Sequence, residues 1–267
     1  MLGIHQAMPV DFYDLPLTAK SLDADTFQVF LRNNRNMKRR NFYMPDVNLF
    51  NRVMLETGIN SFVVHACYAM NPSDANQHER CVKIIREDLS LMSYLVGTNY
   101  YVLHPGSSKD LSEKEALQNI AKVLYDVKDV IGNTRIALEF MAGAGTQMLN
   151  NPASILDMLY LCKDIPNVCI CFDTCHVFAA GYDCTEALEM LAPVTGVLHL
   201  NNSCTVKGSR VDRHARIDRG YIPTEQLLEV AKQFSVKYPD RPIILETPGD
   251  TLVNDLCLVQ NYLKKSF

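Results

Sequence analysis

The chain has 267 residues, of which 48% are hydrophobic and 21% are charged, and its formal net charge is −4. This composition is ordinary for a globular protein with a sizeable core, and no run approaches the roughly 20 apolar residues of a membrane span. The N-terminus, MLGIHQAMPVDFYD, lacks the basic region and long apolar run of a secretory signal. We therefore expect a cytoplasmic protein without a membrane partner, and leave nuclear import open because residues 32–40 are strongly basic.

Short β-branched and aromatic runs recur along the chain, at a spacing typical of strand–helix units. They lie near residues 2–6, 26–33, 61–69, 100–106, 135–142, 168–176, 196–202 and 242–248. Most are continuously apolar until their last few residues, which is typical of parallel strands buried on both faces.

Helical patterns lie between these runs. Apolar residues recur at helical spacing over 82–96 and 117–131, Ser112 and Glu115 form a capping-box pattern, and Pro223 precedes a third such helix. Eight strand–helix units predict an α/β fold, a single (β/α)8 TIM barrel spanning residues 1–267, with its functional loops at the C-terminal face. The absence of a G-x-G-x-x-G motif after the first strand argues against a dinucleotide-binding fold.

Residues of metal-ligating type stand at or just beyond the ends of successive predicted strands, where a barrel carries its active site. They are His65, His104, Glu139, Asp173, His176, His199 and Glu246, with Asp173 and His176 closing the sixth strand. Asp212 and His214 lie in the long connection after the seventh strand, which makes five histidines and four carboxylates in all. A lone histidine there is usually a core residue, but four neighbouring buried carboxylates repel one another unless cations are bound. Imidazole and carboxylate ligands favour zinc, with manganese and iron as poorer matches, and nine ligands indicate two or three ions.

The nine cysteines provide a second candidate for a metal site. Cys169, Cys171, Cys175 and Cys184 lie close together, but their spacing is not the paired C-x2-C of a zinc ribbon. Several stand in apolar runs, so we interpret them as free thiols that pack as small hydrophobic residues.

Two segments carry concentrated positive charge despite the negative total. Residues 32–40, RNNRNMKRR, hold five basic residues and no acid, and residues 207–219 hold five basic residues against two acids. Either could be a solvated surface or could attract phosphate. Three divalent ions would change the formal charge from −4 to +2 (−4 + 6).

At the ligand residues the sequence resembles the endonuclease IV family of zinc-dependent apurinic/apyrimidinic endonucleases. The most specific stretches are FDTCHVFAAGYD at 172–183 and GSRVDRH at 208–214, supported by LHPGS at 103–107, HLN at 199–201 and PIILETP at 242–248. The resemblance covers almost the whole chain. It implies a DNA repair enzyme that hydrolyses the phosphodiester 5′ to an abasic site in duplex DNA, and that trims blocked 3′ ends.

The resemblance also implies a centre of three Zn²⁺ ions, with Mn²⁺ as an alternative at one site. One ion would bind His65, His104 and Glu139, and a second would share Glu139 with Asp173, His199 and Glu246. The third would bind His176, Asp212 and His214. Glu139 and Glu246 are the expected catalytic carboxylates, Glu246 also orienting or deprotonating the attacking water.

DNA contacts are expected from Arg35, which matches an inserted arginine of the family, and from Tyr68, which matches a residue wedged into the base stack. Arg213, in the second basic segment, is a third expected contact, and the protein is expected to be a monomer. The sequence departs from the family pattern at Ala69, at Phe140 and Met141, at Asn202 and in the IDRG run at 217–220.

Two alternative functions are compatible with parts of this pattern. A sugar isomerase of the xylose isomerase-like barrels also gathers Glu, Asp and His around paired metals, but needs neither a third site nor the basic 32–40 segment. A non-catalytic module that binds DNA damage would be expected to have lost ligands, and none is lost.

Overall fold

The structure, a computed structural model, describes residues 1–33, 37–39 and 41–264. Its strands are β1 (Leu2–Gln6), β2 (Thr26–Phe30), β3 (Ser61–His65), β4 (Thr98–Leu103), β5 (Arg135–Glu139), β6 (Val168–Asp173), β7 (Thr195–Leu200), β8 (Asn202–Ser203), β9 (His214–Ala215) and β10 (Ile243–Leu245). In this part of the chain, eight parallel strands close a barrel in the order β1-β10-β7-β6-β5-β4-β3-β2. The predicted (β/α)8 barrel is confirmed.

Helices follow the barrel strands on the outside. They are α1 (Asp14–Ser21), α2 (Met44–Thr57), α3 (His78–Met92), α4 (Glu113–Asp126), α5 (Pro152–Leu161), α6 (Thr174–Ala179), α7 (Cys184–Leu191), α8 (Thr224–Lys237) and α9 (Leu252–Lys264). The capping box of α4 is present, since Ser112 accepts from the Glu115 backbone N–H and the Glu115 side chain accepts from that of Ser112. Among the described residues, no helix has the length and apolar character to cross a membrane.

The apolar side chains form two separate layers because successive residues of a strand point to opposite faces. One large cluster lies between the strands and the helices. A smaller cluster fills the barrel interior and consists of Val63, Tyr100, Val102, Ala137, Cys171, Val197 and Ile244. The interior is therefore a packed core, and polar chemistry is confined to the mouth above it.

The barrel strands end before the predicted runs do, and the difference places the ligand-type residues. His104 and Glu246 each lie one residue beyond their strand. The prediction that His176 closes the sixth strand is wrong, because β6 ends at Asp173 and His176 lies in α6. Asp173 caps that helix by accepting a hydrogen bond from the His176 backbone N–H at 2.8 Å.

Two glycines bring the 208–214 segment against α6. Gly181 and Gly208 both have positive φ, and a Cβ built on Gly181 would lie 3.7 Å from the Gly208 Cα. Beside this contact, Gly208 N donates to Phe178 O at 3.1 Å and Arg210 N donates to Ala179 O at 2.9 Å. The backbone thereby anchors the segment, and β9 then pairs with β8.

The basic segment 32–40 is in part structural. Arg32 is 8% exposed, and its Nε donates to Asp88 Oδ1 at 2.8 Å while its Nη2 donates to Glu87 Oε2 at 2.7 Å. Tyr101 donates its hydroxyl to the other Asp88 oxygen at 3.0 Å. Neither alternative for this run, a solvated surface or a surface that attracts phosphate, applies to Arg32, whose charge is neutralised inside the protein. Arg35 lies outside the described residues.

Breaking this buried ion pair should destabilise the fold. Arg32→Leu leaves the Asp88 carboxylate buried without its cation, and we expect the free energy of unfolding to fall by about 3–5 kcal/mol. Chemical denaturation measures the loss. The control is Arg86→Leu, which removes an exposed pair with Asp129 and should cost less than about 1 kcal/mol. Equal losses for the two variants would contradict the importance of the buried pair.

Candidate metal centre

All nine ligand-type side chains predicted from the sequence come together at the mouth of the barrel. Successive parallel strands deliver them, since their carboxyl ends meet at one rim. Asp173 and His199 are fully buried, Glu139 is 1% exposed, and the Asp212 side chain, at 40%, borders solvent. The arrangement resolves into three neighbouring groups.

The first group surrounds one oxygen of Glu139. His65 Nε2 lies 3.2 Å from Glu139 Oε2, and His104 Nε2 lies 3.0 Å from the same oxygen. The ligand atoms of these three residues all lie within 4.8 Å of one another. This is the donor set of two imidazoles and a carboxylate that suits a zinc ion with an open position.

The second group surrounds His199 Nδ1. This nitrogen lies 3.3 Å from Glu139 Oε1, 3.2 Å from Glu246 Oε2 and 3.8 Å from Asp173 Oδ2. Glu139 therefore presents one oxygen to the first group and the other to the second. Three buried carboxylates around one imidazole are poorly balanced in charge unless a cation lies among them.

The third group consists of His176, Asp212 and His214, whose ligand atoms again lie within 4.8 Å of one another. His176 Nε2 is 3.1 Å from one oxygen of Asp212 and His214 Nε2 is 3.3 Å from the other. Despite these distances, both nitrogens are buried without a hydrogen bond of acceptable geometry. Two ring nitrogens that lie close to a carboxylate without a hydrogen bond to it are consistent with ligands of one shared cation.

In three of the histidines, the ring nitrogen that faces away from the centre forms a hydrogen bond. This bond determines which nitrogen of the ring is free to bind metal. His65 Nδ1 donates to Ala66 O at 2.8 Å, His176 Nδ1 donates to Phe140 O at 2.9 Å, and His214 Nδ1 donates to Glu246 O at 3.0 Å. A carbonyl oxygen can only accept, so each Nδ1 carries the hydrogen of the neutral ring. The inner Nε2 atoms then keep their lone pairs, as in metal-ligating histidines generally.

The pKa values of residues in the centre reflect how closely its imidazoles and carboxylates approach one another. Burial raises the pKa of Glu139, but His104 and His199 outweigh it and hold the pKa well below its usual value. Burial lowers the pKa of His199 and of His214, yet the surrounding carboxylates raise each to about 9. Protons on the histidines thus supply positive charge that bound cations could replace.

The cysteines behave as the sequence predicted. Among the described residues all of them are free thiols. Burial raises the pKa of both Cys169 and Cys175 to about 12, so these thiols are neutral near pH 7. Cys171 and Cys175 lie close to the second and third groups, but neutral thiols are weaker ligands than the imidazoles and carboxylates beside them.

Tyr68 and Arg213, two of the expected DNA contacts, lie on this face. The Tyr68 ring is 46% exposed and stacks on His104 at 4.8 Å between centroids. Arg213 is exposed between Asp212 and His214. Within the described ranges, Lys207, Arg210 and Arg213 form no side-chain hydrogen bond or ion pair with another residue, so their charges remain available to a ligand.

Sequence reasoning missed the roles of three polar residues, Gln28, Asn201 and Asn202, the last of which was noted only as a departure from the family pattern. Gln28 lies on β2 and contacts the second group, while Asn201 donates to Asp173 Oδ2 at 2.9 Å and accepts from the Cys175 backbone N–H at 3.0 Å. Asn202 closes the 217–222 connection. These residues carry no charge and stand inside apolar runs. The only sequence signal for them was an amide side chain at a position expected to be buried.

Asn202 explains a departure from the family pattern. Its amide donates to Ile217 O at 3.0 Å and to Ile222 O at 2.8 Å, and its oxygen accepts from Ile222 N at 2.9 Å. A Cβ at Gly220 would lie 2.2 Å from that oxygen. The amide and the glycine of the IDRG run therefore form one loop-closing unit.

A cavity of about 1190 Å³ lies at the opposite end of the barrel, lined by residues such as Ser61, Gly97 and Arg135. These residues stand at the amino ends of their strands, a face that in barrels contributes to stability. We assign the chemistry to the mouth, where the buried donor atoms converge.

Comparison with known proteins agrees with this fold. A family model described as a xylose isomerase-like TIM barrel matches residues 17–263. The chain is 31% identical over 260 residues to a probable endonuclease 4 of Alkaliphilus oremlandii, covering 93% of this chain and 92% of that protein. It is similar to the crystal structure of endonuclease IV from Thermus thermophilus, with a TM-score of 0.83, 28% identity and 99% coverage of both chains. A 3-keto-D-glucoside 4-epimerase from E. coli shares the fold, with a TM-score of 0.71, 16% identity and coverage of 97% of this chain and 98% of that one.

Asn202→Asp should loosen the loop beside the centre. An aspartate cannot donate to the carbonyls of Ile217 and Ile222, which would then face a carboxylate, and we expect a loss of about 1–3 kcal/mol in the free energy of unfolding. Chemical denaturation measures the loss and limited proteolysis locates it. Asn167→Asp is the control, because it removes one exposed bond to Gly132 O and should change stability by no more than about 0.5 kcal/mol. Unchanged stability and protease resistance in Asn202→Asp would contradict the role of Asn202 in closing this loop.

Proposed function

The chain belongs to the endonuclease IV family, and from this premise we propose that it is a zinc-dependent DNA repair endonuclease. It hydrolyses the phosphodiester 5′ to an abasic site in duplex DNA, leaves a 3′-hydroxyl, and trims blocked 3′ ends. The observation that carries the proposal is the convergence of five imidazoles and four carboxylates at one barrel mouth. The barrel fold alone would not support this function, because sugar epimerases share the same fold.

Three Zn²⁺ ions would be held by the three groups, with Mn²⁺ as the alternative at one position. His65, His104 and Glu139 form the first site. Glu139, Asp173, His199 and Glu246 form the second, and His176, Asp212 and His214 form the third. Support comes from the buried Nε2 atoms of His176 and His214 that lack a hydrogen bond, and from a donor set of nitrogen and oxygen atoms typical of zinc.

Bound divalent ions would supply two things, a lowered pKa for coordinated water and compensation for the charge of the phosphate oxygens. The chain's own residues position this chemistry. Glu139 presents an oxygen to each of two groups, and Glu246, whose side chain is 9% exposed, directs a carboxylate oxygen toward His199. We propose that Glu246 also orients or deprotonates the attacking water, as the family resemblance implies.

The expected DNA-binding surface combines exposed cations with an aromatic ring. Lys207, Arg210 and Arg213 extend from the loop that also carries Asp212, so phosphates attracted by them would lie beside the third group. Tyr68 covers His104 with half of its ring still exposed. Such a ring can occupy the space left by an extruded nucleotide. Arg35 remains an expected contact on the basis of its motif, and the protein is expected to act as a monomer.

A sugar isomerase or epimerase is the second candidate, favoured only by the shared barrel. These enzymes work on small polyols and have no need of unpaired surface cations around the cleft. Incubation with an aldose or ketose under metal-replete conditions tests this candidate directly. Turnover of the sugar without any nicking of abasic DNA would contradict the endonuclease proposal and support a sugar isomerase or epimerase.

Metal should be required for strand cleavage. We expect the purified protein to contain zinc by elemental analysis and to nick a duplex oligonucleotide that carries one abasic analogue. Glu139→Gln and His104→Ala should each lower the nicking rate by about 100-fold or more, because each removes a ligand that orders the attacking water. Chelation of the parent protein should have the same effect, and added zinc should restore the activity.

The matched control is Glu56→Gln, an equally conservative change on the exposed surface of α2, which should nick at the parent rate. If Glu139→Gln or His104→Ala cleaves as fast as the parent, the metal-dependent mechanism is wrong.

The exposed cations of the 207–213 loop should contribute to affinity through counterion release. Arg213→Ala should weaken binding to duplex DNA and reduce by about 1 the slope of log affinity against log salt concentration. Fluorescence anisotropy at several salt concentrations measures this slope. Arg86→Ala removes a cation already paired with Asp129 and should leave the slope unchanged. An unchanged slope in Arg213→Ala would exclude a phosphate contact by this residue.

A further inference from the structure

The side chain of Gln28 is fully buried in the middle of β2 and contacts the second metal group. Its Oε1 lies 2.8 Å from His199 Nε2, and its Nε2 lies 2.9 Å from His5 Nδ1 and also donates to Glu246 Oε1. One amide therefore uses both of its N–H groups and its carbonyl. It links two residues that we assign to the same ion.

The orientation of this amide follows from its partners. An ionised carboxylate can only accept hydrogen bonds, so the NH2 end of Gln28 must face Glu246. The carbonyl end then faces His199 and requires a hydrogen on Nε2 of that ring. A ring that binds metal is neutral and has a single N–H, so Nδ1 of His199 would then carry the lone pair.

This nitrogen is the one that faces the carboxylates of the second group. His199 Nδ1 lies within 3.8 Å of Glu139, Asp173 and Glu246. His199 differs in this respect from His65, His176 and His214, which use Nδ1 for their outer bond and Nε2 for the centre. Those three bond to backbone carbonyls, whereas His199 depends on a side chain that substitution can remove.

The geometry points to Gln28 as a positioning residue for the second metal site. It holds His199 in the tautomer whose Nδ1 can bind the ion and fixes the rotation of the Glu246 carboxylate at the same time. Its side chain is fully buried, so it acts through these two residues and not on the DNA. The role rests on the proposed function, because it presumes an ion between His199 and Glu246.

The contact with His5 completes the amide's bonding. His5 Nδ1 accepts the second N–H of Gln28, and the His5 ring packs edge-on against Phe30 at 4.9 Å between centroids. With its three hydrogen bonds made, the amide cannot turn over without losing all of them. Hydrogen bonds of this kind behind a metal ligand typically change metal affinity by about 10–100-fold.

The test measures metal retention. Gln28→Met keeps the length of the side chain and removes both donors and the strong acceptor. We expect one zinc ion per chain to transfer to a chromogenic chelator about 10–100-fold faster than in the parent, with the remaining zinc released at the parent rate. In protein reconstituted with Co²⁺, the visible absorption of one ion should change as well.

Thr26→Val provides the matched control. Thr26 is two residues away on β2, equally buried, and bonds only to Ser61 O through its hydroxyl among the contacts described. It should reproduce any loss of strand stability, measured by thermal unfolding after chelation, without accelerating zinc release or altering the Co²⁺ spectrum.

The outcomes separate the two proposals. Parent-like zinc release and Co²⁺ absorption in Gln28→Met overturn the positioning role while leaving the endonuclease proposal intact. Equal acceleration in Gln28→Met and Thr26→Val overturns it too, since the effect would then come from the strand. A parent protein that binds no divalent metal overturns both.

Discussion

Electrostatic repulsion among buried carboxylates is the constraint on which this molecule's architecture depends. Glu139, Asp173 and Glu246 share a space only a few ångströms wide, each at most 9% exposed. Without a cation, protons on the surrounding imidazoles balance their charge, since the carboxylates raise the pKa of His199 and of His214 to about 9. The protein keeps the group together because eight strands impose its geometry and because a cation can neutralise it.

The parallel barrel and the set of residues gathered at its mouth could be predicted from the sequence because both leave a local signal. A strand buried on both faces is a continuous apolar run, and a charged or imidazole side chain at its end interrupts that run visibly. His104 and Glu246 were located in this way. His176 was misplaced because a helix of six residues after β6 is too short to establish a period, so the run into α6 looked like strand.

Uncharged residues around the centre could not be identified in the same way. Gln28 and Asn201 act through the direction of an amide, which depends on neighbours from strands far away in sequence. Arg32 was misinterpreted for a different reason, because a positive charge in a basic run was interpreted as a surface feature. Its partner Asp88 lies 56 residues away, on α3, and no local pattern connects the two.

The close approach of Gly181 and Gly208 has a consequence for how the third group is built. Its three side chains come from α6 and from the segment that this contact anchors, and the anchoring hydrogen bonds join backbone atoms only. The frame of this group is therefore set by main-chain contacts. On the proposed function, a cation would enter a set of donors that the fold itself holds together.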